Sequence, residues 1–385
     1  MTDVSIIGIG QTRVAEHWDL TMRDLAAQAA HAALDNAGIE QIDALYVSNM
    51  LAGELSRQEH VSALAADAAG MSGIEAIRIE AADASGGAAL RQAYLAVASG
   101  VVEFAMVLGV ESMTDLMGNR RTAALSTSLD ADFEAMQGAT PAAMAALMMR
   151  RYMHETGTTL DDFAGFSVNA HSNGGRNPNA MYRNRLKPER FASAPPVATP
   201  VNLFDAAPEG DGAAALILTR TERARDLVPN PIRIAGSAVA SDRFALHDRS
   251  DPLTLSAVVG SASKAYMQAG INPQDIDVFE LHDSFTIMAA LALEASGFAE
   301  RGQGYTLARE EEIGLGGRIP VQTFGGLKAR GHAGGATGVY QVVEIIQQLR
   351  AEAGENQVAN ARVGMAQNIG GIGSTAVTHI FERVD

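Results

Sequence analysis

Apolar and polar positions along this chain follow two periods. Runs at 4–10 (VSIIGIG), 44–48 (ALYVS), 103–110 (EFAMVLGV) and 214–219 (AALILT) are almost continuously apolar, as strands buried on both faces are. Between them lie helical patterns. The clearest runs from Thr21 to Ala37: Thr21 and Asp24 have capping-box spacing, alanines fill the body and Gly38 ends it. This alternation predicts a mostly parallel sheet covered by helices.

The pattern also repeats. AALDNAGIEQIDALYV (32–47) matches AYMQAGINPQDIDVFEL (265–281), each with an Ala-Gly-Ile helix end, a short loop, Ile-Asp and a strand. A weaker echo pairs Ser85-Gly86-Gly87-Ala88 with Ala333-Gly334-Gly335-Ala336, each opening a helix. Two matches at similar offsets suggest a duplicated half. The expected division is 1–230 and 231–385, the second copy starting near Pro231. The first half carries a less regular insertion at about 118–200. Its methionine cluster (144–153) reads as flexible core or oligomer packing. Its basic loop 176–189 reads as solvated, with a phosphate-bearing ligand as the alternative.

Composition narrows the picture. With 47% hydrophobic residues, 38 glycines and 5% aromatics, the chain suits a close-packed α/β protein. A formal net charge of −16 argues against a non-specific nucleic-acid partner. No run approaches the roughly 18 apolar residues of a membrane span, and the first ten residues read as a buried strand, so a cytoplasmic protein is expected. There is no cysteine, which excludes a disulfide, a thiolate metal site and a sulfur nucleophile.

Four segments combine glycine with polar residues at expected strand-to-helix junctions, where α/β proteins gather ligands: 81–87, 280–285, 325–338 and 366–375. In 79–93 (IEAADASGGAALRQA) Asp83 stands at a helix start, open to reading as a cap, an acid/base or a replaced nucleophile. His332 lies between glycines ahead of a helix expected from about Gly335, where imidazole can shuttle a proton or donate to an oxyanion. The segment lacks the Gly-Lys-Ser/Thr ending of a phosphate loop. In 280–285 alternate residues share a face, which pairs His282 with Ser284 and leaves Asp283 to orient or cap. Glu280 needs a partner if buried. The N–H groups of Gly370 to Gly373 are candidate anion donors.

Taken in order, these segments resemble the thiolase superfamily, specifically sterol-carrier-protein-type thiolases, over nearly the whole chain. ASGGAALRQAYLAVASGVVEFAMVLGVESMTD (84–115) is similar to the nucleophile segment and the Gly-x-Glu-Ser-Met element after it. NLFDAAPEGDGAAALILT (202–219) resembles the strand that closes the first half. HDSF (282–285) is similar to a His-Asp-Cys-Phe box, and GGLKARGHAGGATG (325–338) to a Gly-His-Pro-x-Gly-Ala-Thr-Gly box. The resemblance implies a duplicated thiolase fold, five-layered αβαβα with two mixed sheets. It also implies a homodimer and a coenzyme A thioester as substrate, with no bound cofactor or metal. Spacing alone defines no coenzyme A contact.

Both family cysteines are replaced. The acyl-carrying position is Asp83, the acid/base position is Ser284, and a C-terminal cysteine position resembles Asn368. The expected catalytic set is Asp83, His282, His332 and Ser284, with Gly370, Gly371 and Asn368 as oxyanion or backbone elements. Such a site suits stabilisation of an acyl-CoA enolate and retro-aldol cleavage, with Asp83 as base once burial raises its pKa toward neutrality. The mechanism resembles that of thiolase-like steroid side-chain aldolases, which work with a small zinc-ribbon/OB-fold partner. The alternatives are an acetyl-CoA acetyltransferase or ketoacyl-CoA thiolase variant with another nucleophile, and a non-catalytic subunit. A lipid-binding module leaves the four junctions unexplained.

Overall fold

The apolar run that opens the chain is strand β1 (Val4–Gln11). The structure, a computed structural model, describes residues 2–384; Met1 and Asp385, the outer ends of the two expected halves, lie outside them. Helix α1 (Met22–Ala37) has the boundaries its sequence encodes: Thr21 and Asp24 form a reciprocal capping box, and Gly38 closes the helix at φ 66°. Then come β2 (Ala44–Ser48), α2 (Ala52–Leu55), α3 (Val61–Ala68), β3 (Glu75–Ile79), α4 (Ser85–Ser99) and β4 (Ala105–Glu111).

The stretch expected to be irregular is largely helical, with α5 (Asn119–Leu125), α6 (Pro141–Thr156), α7 (Ala164–Gly174), α8 (Pro188–Ala192) and the ribbon β5 (Pro196–Ala198) and β6 (Val201–Asn202). Helix α6 starts where Thr140 accepts from Ala143 N–H and Pro141 takes the first turn, whose N–H needs no partner. Met144, Met148 and Met149 on its inner side are buried in the core beneath it. The chain continues through β7 (Gly212–Arg220), α9 (Thr221–Leu227), β8 (Ile232–Ser241), α10 (Ser256–Ala269), β9 (Val278–Glu280), α11 (Thr286–Ala295), α12 (Gly304–Arg309), α13 (Thr337–Leu349), β10 (Val363–Gly370) and β11 (Thr375–Arg383).

Nine strands run in the order β3-β2-β4-β7-β1-β8-β11-β10-β9. The two expected sheets therefore meet edge to edge. Their junction is narrow, an antiparallel contact of Ser5 and Ile6 with Arg233 and Ile232. Among the strand pairs of the described residues, only β2–β3, β2–β4 and β9–β10 are parallel. The mostly parallel sheet suggested by α/β alternation is thus a mixed one in which antiparallel pairs predominate. The reason is local: β10 turns straight back into β11, and β7, β1 and β8 lie side by side in opposite directions.

Helices α4 and α13 pack on each other and each touches strands from both halves. Outside them α1 and α3 cover the first half, and α10 covers β8 and β11, which gives five layers. Helix α13 is buried nearly all round, as a helix between two layers must be. Glycine permits the α4–α13 contact: a Cβ on Gly86 would lie 2.7 Å from Gly338 Cα and from Val339 N. The central layer thus holds two helix starts against each other, and the site forms there. Among the described residues, no helix is long and apolar enough to cross a membrane.

Candidate active site

The turn between β3 and α4 is fixed by Ser85, whose hydroxyl accepts from Ala81 N–H at 2.9 Å and donates to the Ala82 carbonyl at 2.5 Å. Both hydrogen-bonding roles are spent on the backbone. The hydroxyl is completely buried, which leaves no free nucleophile there. Asp83, two residues earlier, does not cap α4: the cap position is Ala84, with no side-chain cap bond. The cap reading of Asp83 is therefore overturned.

Instead Asp83 reaches across to the second half. Its Oδ1 lies 3.0 Å from His332 Nε2, and its Oδ2 accepts from Gly371 N–H at 3.1 Å. Thr337 Oγ1 sits 2.7 Å from His332 Nδ1 and accepts from Ala333 N–H. In the arrangement that uses every proton, the threonine hydroxyl donates to Nδ1, and Nε2–H donates to Asp83. The backbone of His332 is clamped by Pro208 C=O and Gly210 N–H, so the first half grips the loop that carries the imidazole.

These bonds decide the charge of Asp83. Burial pushes its carboxyl up, but the His332 bond, the electrostatic influence of the His332 and His282 rings and the Gly371 N–H together outweigh it. The result lies below the ordinary 3.8. The expectation that burial brings Asp83 near neutrality is thus corrected: the group is a fixed, ionised carboxylate.

His282 is 1% exposed, and its ring stands edge-on to His332 with centroids 5.6 Å apart. Neither ring nitrogen has a hydrogen-bond partner among the described residues. Burial lowers its pKa to about 3, so the imidazole is neutral near physiological pH. Asp283 turns the other way and accepts from Gln322 Nε2 and Leu327 N–H, which orients the turn before His332. Glu280, buried and pushed up to about 7 mainly by desolvation, finds its partner in Thr323.

Asp83, Ser284, His332 and Gly371 line a small cavity of about 60 Å³, together with Met50 and Glu209. Through Ala207 and Glu209 it adjoins a larger cavity of about 460 Å³, lined in part by Met181, Tyr182, Leu203, Phe204 and Lys328. That larger space combines apolar walls with the cations Arg121 and Lys328 and the carboxylates Glu16 and Glu209, a mixture suited to a ligand with apolar and polar parts. The basic loop 176–189 forms part of its rim: Met181 and Tyr182 donate N–H bonds to the Arg330 and Ala329 carbonyls, while Arg183 and Arg185 stay exposed.

Two expected members fall elsewhere. Asn368 donates to Gln341, and its Oδ1 packs against Gly87 and Gly338 between the central helices rather than in either cavity. Of the glycines, Gly371 alone gives its N–H to Asp83. Gly373 N–H bonds to Gly370 C=O and is not free as an anion donor, while Gly370 ends β10 opposite Thr375. Strand geometry explains both corrections. The side chain of Asn368 points into the central layer, and the chain turns at Gly371, where φ is 55°.

Sequence reading passed over three participants. Thr337 braces His332 and could have been found as the hydroxyl one helical turn beyond it. Lys328 is 2% exposed, donates to the Asp205 carbonyl and has a pKa lowered by burial to about 8. Glu111 accepts from Asn49 Nδ2 and from the N–H groups of Met50, Leu51 and Gly335, which ties the end of β4 to the His332 loop. Burial pushes it up to about 7 against those bonds.

Comparison with known proteins places this geometry. The family described as "Thiolase, N-terminal domain" matches residues 4–194, and "Thiolase C-terminal domain-like" matches residues 238–383. The chain is 45% identical to "Acetyl-CoA acetyltransferase" of Methanothermobacter thermautotrophicus over 100% of both chains. It is 29% identical to "Steroid side-chain-cleaving aldolase" of Thermomonospora curvata, over 89% of this chain and 90% of that one. The solved structure "Ltp2-ChsH2(DUF35) aldolase" superposes with a TM-score of 0.85 at 26% identity, covering 99% of this chain and 97% of that one.

Proposed function

From the premise that this chain belongs to the thiolase family, we propose that it is a carbon–carbon lyase of CoA thioesters that works without a cysteine nucleophile. Thiolase-family enzymes use CoA thioesters as substrate and need no cofactor. The family's relatives here include both acyltransferases and CoA-ester lyases.

One observation carries the choice between them. Where α4 begins, an ionised carboxylate is held by His332 and Gly371, the adjacent hydroxyl is spent, and the chain has no sulfur nucleophile. Attack on a thioester by so weak a nucleophile is unfavourable, but proton abstraction is within its reach. Asp83 keeps lone pairs free on both oxygens and faces the cavity. In a β-hydroxyacyl-CoA it takes the hydroxyl proton. The Cα–Cβ bond then breaks, and its electron pair passes into the thioester enolate. Cβ leaves as the carbonyl carbon of an aldehyde or ketone, and Cα takes a proton to give the shorter acyl-CoA. His282, with one ring N–H unclaimed by the protein, is the donor suited to the enolate oxygen. Ser284 lies on the same cavity wall and can hold the hydroxyl.

The 45% identical acetyltransferase favours a second reading, acyl transfer with an unusual nucleophile. Product analysis by mass separates the two. The protein is incubated with a β-hydroxyacyl-CoA, and separately with acetoacetyl-CoA plus CoA. Release of the shorter acyl-CoA and a carbonyl compound from the first supports the lyase; acetyl-CoA formed only in the second overturns it. A homodimer and a small zinc-ribbon/OB-fold partner complete the proposal, the partner on the strength of the paired structure "Ltp2-ChsH2(DUF35) aldolase". Both are tested by the mass of complexes isolated with and without that partner.

A further inference from the structure

The lyase step uses one ring N–H of His282 and leaves its second nitrogen without a partner among the described residues. A buried polar group ordinarily spends its hydrogen-bonding capacity, and an imidazole at 1% exposure with both nitrogens unpartnered among the described residues forfeits it. Its neighbours offer a use for it. One oxygen of Asp83 and one nitrogen each of His282 and His332 all lie within 4.8 Å of one another.

We propose that Asp83, His282 and His332 form a binding site for a divalent transition-metal ion, with two imidazoles and one carboxylate as ligands and the cavity side left open. The spacing fits. Ligand atoms bound at 2.0–2.2 Å in a tetrahedral site stand roughly 3.4 Å apart. Asp83 Oδ1 and His332 Nε2 are already 3.0 Å apart, so small side-chain rotations bring the third donor in. Ligands in such sites are held from behind, and these are: Thr337 Oγ1 lies 2.7 Å from the far nitrogen of His332, and Gly371 N–H holds the second oxygen of Asp83 at 3.1 Å. Two nitrogens and one oxygen select zinc, cobalt or iron over magnesium or calcium, which take all-oxygen sets. The open side faces the cavity that Ser284 lines, where water or a substrate oxygen completes the coordination.

An ion here and a substrate hydroxyl on Asp83 claim the same oxygens, so binding is read with the metal alone and does not depend on the lyase chemistry. The full-length protein, stripped by a chelator, is titrated with Co²⁺ by visible absorption and with Zn²⁺ by calorimetry. The expected result is one high-affinity ion per chain with the d–d absorption of a four- or five-coordinate cobalt site. Affinity drops at least about tenfold in Asp83→Asn and in His282→Gln, and by a similar factor in Thr337→Val, which removes the brace together with the Ala333 N–H bond and leaves all three ligands in place. Circular dichroism checks each variant's fold, and one folded ligand variant suffices for the comparison. Absence of micromolar binding in the parent protein overturns the site. So does equal binding in parent and folded ligand variants, which would place the ion on surface histidines.

Discussion

His379 offers a quantitative test of how the second half holds the start of α4. It lies on β11, completely buried, with Nε2 3.0 Å from the Gly87 carbonyl in the first turn of α4 and Nδ1 without a partner among the described residues. Burial, more than the bond to Gly87 can offset, lowers its pKa from the ordinary 6.5 to about 4. The folded protein therefore keeps this ring neutral at a pH where the unfolded chain protonates it. Stability from this group is complete above about pH 6.5 and is lost as pH falls toward 4, because only the unfolded state gains the proton. At about 1.4 kcal/mol per pH unit the total is about 3 kcal/mol. The variant His379→Gln keeps a side-chain N–H for Gly87 but cannot titrate. Urea unfolding followed by circular dichroism gives the free energy of each protein from about pH 4.5 to 8, at one protein concentration and ionic strength. Every other group titrates in both proteins and cancels in their difference. That difference should be constant above about pH 7 and move against the parent by about 1.4 kcal/mol per unit below pH 6. Parallel curves over the whole range would refute the buried neutral imidazole and the anchoring drawn from it.

Other consequences follow from the same packing. Arg330 and Glu344 form an ion pair at 2.8 Å with both side chains 1% exposed, so Arg330→Met should cost about 3–5 kcal/mol in unfolding free energy. The double variant Arg330→Met/Glu344→Leu should recover most of that loss. Gly86→Ala drives a methyl to 2.7 Å from the Gly338 backbone and should lower stability by about 1–3 kcal/mol, read as a fall in melting temperature, with activity lost as the helix starts separate. Asp83→Asn should cut lyase turnover by about 10²–10⁴-fold while a CoA thioester still binds, measured by steady-state kinetics and calorimetry. Because the Asp83 carboxyl lies below 3.8 and acts ionised, its contribution to the rate is lost only as pH falls through that lowered value. A rate that falls near neutral pH in the parent and not in Asp83→Gln would assign the base a raised pKa and contradict the site's electrostatics.

Local signals were legible in the sequence. The Thr21–Asp24 box and Gly38 set α1, and the apolar runs at β1, β2, β4 and β7 identified strands because burial on both faces leaves little else to read. The Thr140-Pro141 start of α6 was equally present and was hidden by the methionine- and asparagine-rich composition around it. What could not be read depends on distant partners. Residues 5 and 6 meet 232 and 233 through tertiary pairing alone, which merges two sheets into one. The four junctions and their convergence were visible, since glycine and polar residues at strand ends have few other uses. The charge state of Asp83 was not. It is fixed by His332 and Gly371, which lie 249 and 288 residues away in sequence and reverse the effect of burial. The side-chain direction of Asn368 likewise depends on the crossing of α4 and α13 at Gly87 and Gly338.

The central claim is turnover of a CoA thioester without an acyl-enzyme. It is tested most directly by the intact mass of the protein quenched in acid during steady-state cleavage of a β-hydroxyacyl-CoA, with hydroxylamine present in a parallel sample. Catalysis through Asp83 as a base predicts the unmodified mass and no hydroxamate while product accumulates. An acyl adduct on Asp83 or Ser85, or a hydroxamate formed in step with turnover, would contradict it.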